Sequence, residues 1–171
     1  MKRLHLLLLM LLGIVSAPAV SQAQAQCPWM NAATAGGFLG GEVKTSVVGV
    51  TVDGDAICEF TRGTNAATGS MLRIAVHTMA HTPQEFPGYL ALCGPNPVAL
   101  KGIGNQALQC IPNSGASKGE ELIVGRVRER AFVITIKAEW ITEPPSTPTK
   151  TRNPISDDSE NIAEQVAGSM F

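Results

Sequence analysis

Apolar and polar residues alternate most cleanly in the middle of the chain. From Ala56 to Arg62, Cys58 and Phe60 fall on one side. From Met71 to Met79, Leu72, Ile74 and Val76 face one way, and Arg73 and His77 face the other. A period of two predicts half-buried strands. Ser46 to Val52 has the same period, with Val48, Val50 and Val52 on one face, and Asp53-Gly54-Asp55 then supplies hairpin-turn chemistry. Glu121 to Arg128 and Ala131 to Glu139 predict a late hairpin that turns near Glu129-Arg130. Phe132, Ile134 and Ile136 line one of its faces, with Thr135 and Lys137 on the other. Gly102-Ile103-Gly104 is expected to form a tight turn, and Gly102-Ile103-Gly104-Asn105-Gln106 to lead into a short strand through Cys110.

Three stretches follow helical logic instead. Asn31 to Leu39 has an N-cap in Asn31 and a stop in Gly40-Gly41. Pro83 to Leu92 has Thr82 as its expected cap and a proline where the first turn lacks N–H partners. Ser156 to Phe171 carries Ile162, Val166 and Met170 as one stripe, and Asp157 and Glu160 stand in a capping-box relation. Cys93 to Leu100 is expected to be a proline-broken loop, and 143–154, with four prolines, an extended connector. The order predicts an α+β domain: an antiparallel sheet of about five to six strands packed with two to three helices.

The N-terminus adds a compartment. Lys2 and Arg3 precede an apolar run from Leu4 to Val15, and Ala23-Gln24-Ala25 offers small residues for cleavage. This is the grammar of a secretory signal peptide over 1–25, leaving 26–171 as a single mature domain in the periplasm or outside the cell. Gln26 before Cys27 is a poor lipid-attachment context, so a soluble product is expected. No later run is long enough to span a bilayer.

The four cysteines Cys27, Cys58, Cys93 and Cys110 all lie beyond the leader. Four cysteines allow three pairings. The favoured one joins Cys27 to Cys58, tying the N-terminus to a central strand, and Cys93 to Cys110, closing the loop that holds Gly94-Pro95-Asn96-Pro97. No Cys-x-x-Cys pair points to redox chemistry, and the spacings lack a zinc knuckle.

A formal net charge of −1, more negative without Lys2 and Arg3, argues against nucleic acid or anionic lipid as partner. Arg126 and Arg128 share a predicted strand face and with Arg73 would form a small anion patch; the competing account is the solvated face of an edge hairpin. His77 and His81 stand four apart. On a helix that spacing would aim both at one metal, but on a strand the two lie about 13 Å apart, so no metal site is expected. Asp53-Gly54-Asp55 lacks the further ligands of a calcium loop. Glu120-Glu121 and Asp157-Asp158 are accounted for by a strand start and a helix start. No nucleophile motif is present in a usable context, and no cofactor is expected.

The element order resembles that of small exported bacterial proteins of PsbP-like fold. So do the Gly102–Ala107 segment before a strand, the late hairpin with its closing helix, and the cysteines before the first helix and in the second strand. Many of those proteins are lipoproteins or domains of unknown function. The resemblance runs from Cys27 to Phe171 and implies a fold and a compartment, with no catalytic residues to carry over.

The expected function is therefore non-catalytic: an exported domain that binds a protein partner or a small ligand in the cell envelope. The alternative is a periplasmic hydrolase or metal-dependent enzyme assembled around His77 and His81, with Glu85 and Arg73 contributing. A third reading is a peptidase inhibitor presenting the Cys93–Cys110 loop.

Overall fold

A computed structural model describes residues 26–63, 69–112, 120–137 and 157–171. The expected signal peptide and the 143–154 connector lie outside these residues.

Asn31 opens α1 (Ala32–Leu39) by accepting the Thr34 N–H on its side chain at 2.8 Å, and Gly40 closes it in the left-handed conformation. The strands follow as β1 (Lys44–Val48), β2 (Ala56–Arg62) and β3 (Ser70–Thr78). Helix α2 (Thr82–Leu90) runs into a single 3₁₀ turn (Ala91–Cys93). Next come β4 (Val98–Leu100), β5 (Gln106–Cys110), β6 (Glu121–Val127) and β7 (Arg130–Lys137), and the chain closes with α3 (Asp157–Gly168).

All seven strands form one antiparallel sheet in the order β1-β2-β3-β7-β6-β5-β4. The architecture is α+β, with more strands than the five to six expected. The additional strand is β4, which lies in the stretch expected to be a proline-broken loop. Its three residues pair with Gln109, Leu108 and Ala107, so partner geometry, not local alternation, makes it a strand.

Three other expectations are corrected. The first strand begins at Lys44 and ends at Val48, opposite Ile57, because β2 begins at Ala56 and offers no partner for Val50 or Val52. The three valines are exposed and form no buried face. The residue before α2 is His81, not Thr82; its backbone N–H is taken by the Glu85 carboxylate at 2.6 Å, which draws the first turn one residue earlier. The β6–β7 hairpin turns at Arg128-Glu129, one residue before the expected position, with Val127 paired to Arg130.

The sheet is covered on both sides. On the first face α1 and α3 pack over Cys58, Phe60, Leu72, Ile74, Phe132, Ile134 and Ile136, all essentially inaccessible. Ile162 and Val166 of α3, and Met170 two residues beyond its end, belong to this core, as their spacing predicted. The capping box at Asp157 cannot be followed, since that side chain and Ser156 lie outside the described residues. On the second face α2 and the 3₁₀ turn cover only one end, over Leu122, Val124 and Ala131. Each face has one disulfide. Cys27–Cys58 fixes the segment before α1 to β2, with an S–S distance of 2.02 Å. Cys93–Cys110 fixes the 3₁₀ turn to the end of β5, at 2.11 Å. Two such bonds imply maturation in an oxidising compartment. Among the described residues no helix is long and apolar enough to cross a membrane.

Candidate functional site

Partial cover of the second face leaves an open groove of about 580 Å³ between α2 and the edge of the sheet. Pro83, Phe86, Pro87 and Leu90 form its helical wall. These positions recur at the spacing of one helical face, and only Phe86 is fully buried. The opposite wall is polar. Gln106 of β5 lies directly across from Arg126 of β6, and Arg128 and Glu129 close the end.

The hairpin that carries the two arginines is held by Asn105. Its backbone N–H donates to the Arg126 carbonyl at 2.9 Å, and its side-chain oxygen accepts the Arg128 N–H. The expected turn at Gly102-Ile103-Gly104 makes this clamp possible. Gly104 has φ +57°, and a Cβ there would collide with the Arg126 carbonyl oxygen. Arg128 itself adopts φ 55°, uncommon for a residue with a side chain. It therefore leaves the strand face that it was expected to share with Arg126, yet both line the groove.

Arg126 lies over the Phe86 ring, with its guanidinium carbon 5.5 Å from the centroid. Such a contact steadies a cation against an apolar wall. Its one hydrogen bond among the described residues runs from Nη1 to the Arg128 carbonyl at 3.4 Å. The ion pair found among the described residues is His77–Asp55, so neither groove arginine is paired with a carboxylate of those residues. Arg128 reaches instead over the ring of the C-terminal Phe171, at 5.9 Å.

Arg73 is not part of this group. It pairs in register with Glu59 and Thr135, four residues along β3 from His77. His77 is the β3 residue in line with Ala131 and Arg126. That offset is about 13 Å, so the structure brings two of the three arginines together.

The chain matches no family model, no curated protein and no solved structure.

The two histidines also part. His77 Nδ1 lies 2.7 Å from Asp55 Oδ2, while the other carboxylate oxygen accepts the Thr78 N–H at 2.7 Å. His81 is exposed, and Glu85 is engaged by the His81 backbone. No group of three or more His, Cys, Asp or Glu side chains among the described residues could hold a metal ion. Burial pushes the Asp55 carboxyl up, but hydrogen bonds from Thr78 and His77, with the charge of His77, outweigh it and leave the group below its ordinary value. Tyr89 sits beside this pair, its ring centroid 6.4 Å from that of His77 and 6.5 Å from that of Phe86. Burial and the charges of Glu85 and Asp55 push its hydroxyl up.

Asp55 and the apolar face of α2 carry no sign in a linear reading. Asp55 becomes visible only from the β2–β3 register, which pairs Ala56 with Val76 and so sets the residue before Ala56 beside His77.

Proposed function

We propose that this protein is an exported, disulfide-stapled binding domain that acts without catalysis and holds its partner in the groove between α2 and β6. One observation carries the reading: an apolar helix face stands against the Arg126 guanidinium, which no carboxylate of the described residues neutralises. The volume lies within the roughly 300–1,000 Å³ of small-molecule sites. The leader over 1–25 supports delivery to the periplasm or beyond, and the poor lipid-attachment context at Gln26 supports a free domain. The resemblance to PsbP-like exported proteins agrees with the α+β architecture and belongs to this proposal.

A hydrolase is the second reading, and the Asp55–His77 pair favours it. Asp55 fixes one ring nitrogen and leaves Nε2 of an exposed imidazole for proton transfer. Against it, no hydroxyl or thiol of the described residues hydrogen-bonds His77, and all four cysteines are oxidised.

A thermal-shift screen of the oxidised 26–171 domain against small apolar and acidic compounds tests the two together. Binding is expected to raise the melting temperature of the wild type and not that of Pro87→Glu, which puts a charge into the groove. An absence of stabilising compounds, with ester hydrolysis lost in His77→Gln, would overturn the binding reading.

A further inference from the structure

Resting on that groove, we infer that its ligands are amphiphilic organic anions: compounds with an apolar body and a single carboxylate or sulfonate head. The argument is one of complementarity between two walls. The helical wall offers three side chains without polar atoms, Pro83, Pro87 and Leu90, together with Phe86, and Thr82 adds one hydroxyl at its start. Such a surface favours an apolar body.

The facing wall is cationic and underused. A guanidinium has five N–H donors. Arg126 spends one of them, at the long distance of 3.4 Å, on the Arg128 carbonyl. Its flat face is occupied by Phe86, so the unused donors lie along its edge, the direction from which a carboxylate or sulfonate is bound through two parallel hydrogen bonds. Gln106, in register with Arg126, adds an amide donor beside it. Arg128 also lines the end of the groove, with its guanidinium turned over the Phe171 ring.

Glu129 sets the polarity of the ligand. Among the described residues it is the one carboxylate lining the groove, and it sits exposed on the turn, at the same end as Arg128. A head group with two or more negative charges would meet it, whereas a singly charged head bound at Arg126 avoids it. The site therefore selects one charge on an apolar body, and disfavours polyphosphates and nucleotides.

Two probes of nearly the same shape test this: anilinonaphthalene sulfonate, and phenylnaphthylamine, which has the aromatic body without the anion. Binding is followed by fluorescence on the oxidised 26–171 domain, with far-UV circular dichroism confirming that each variant is folded. The sulfonate is expected to bind saturably, one per chain, at least about tenfold tighter than the neutral probe. Arg126→Gln should remove about tenfold of the sulfonate affinity and weaken the neutral probe far less. Raising the salt concentration should weaken the sulfonate alone. Pro87→Glu should weaken both probes.

Equal affinity for the two probes, with no response to Arg126→Gln, would overturn the anion selectivity while Pro87→Glu still marked the groove. Failure of both probes to bind, or binding indifferent to Pro87→Glu, would overturn the groove itself.

Discussion

Glu121 and Gln109 face each other under α3, on adjacent strands, and both side chains are sealed from solvent. Gln109 Nε2 donates to Glu121 Oε1, while Glu121 Oε2 and Gln109 Oε1 have no partner among the described residues. The Ser159 side chain, from α3, also hydrogen-bonds the carboxyl. Burial pushes the Glu121 carboxyl above its ordinary value, against the lesser downward pull of Ser159 and Gln109.

This arrangement fixes the sign of a pH effect. The folded carboxyl titrates above the unfolded one, so the folded state binds the proton more tightly. The stabilisation is complete below the unfolded value and is lost as pH rises through the folded value. Glu121→Gln keeps the shape and removes the titration. Its melting temperature should fall less than that of the wild type as pH is raised from the acid range toward neutrality. Parallel curves for the two proteins would show that Glu121 is not the titrating group.

Asp55 predicts the opposite slope. Its folded value lies below the unfolded one, so its contribution is present above the unfolded value and lost as pH falls through the folded value. Asp55→Asn should be less stable than the wild type at neutral pH and should converge with it in acid. Because the pair is partly exposed, the difference should be small, within about 1 kcal/mol. Chemical denaturation at a series of pH values measures it.

The disulfides carry much of the stability of a domain whose second face is only partly covered. Cys58→Ser should cost about 2–5 kcal/mol, read as a shift in the denaturation midpoint. Cys93→Ser should in addition raise amide exchange in α2, since that bond anchors the 3₁₀ turn that follows it. Four thiols titrating in the unfolded, unreduced protein would contradict both bonds.

Gly104→Ala tests the clamp behind the groove. The new methyl would meet the Arg126 carbonyl at a position whose φ is already left-handed. A loss of about 1–3 kcal/mol is expected. Weaker binding of the sulfonate probe should accompany it even at temperatures where the variant stays folded.

Removing 157–171 would uncover the core face that Ile162, Ala163 and Val166 close. Aggregation on refolding is the expected outcome, measured by light scattering. A cooperative, monomeric truncation would show that α3 is dispensable.

Much of the fold is legible in the sequence, for reasons visible in particular elements. In β2, β3 and β7 one face is buried, and alternation records that directly: Phe60, Leu72, Ile74 and Ile134 are fully enclosed. Val48, Val50 and Val52 alternate as well, but no strand lies opposite the last two, so the pattern runs past the end of β1. β4 is too short to show a period and exists because β5 pairs with it. The site was legible by half. Arg126 and Arg128 stand out as charges, whereas the face of α2 that meets them depends on the angle at which the helix crosses the sheet. The Asp55–His77 pair joins residues that only strand register places together.

Backbone-amide NMR of the oxidised 26–171 domain, titrated with anilinonaphthalene sulfonate, tests the central claim most directly. Shifts confined to Thr82, Phe86, Leu90, Gln106, Arg126 and Arg128 are predicted, with those of Gln106 and Arg126 absent when the neutral probe replaces the anion. Shifts centred on Asp55 and His77, or none at saturating probe, would contradict it.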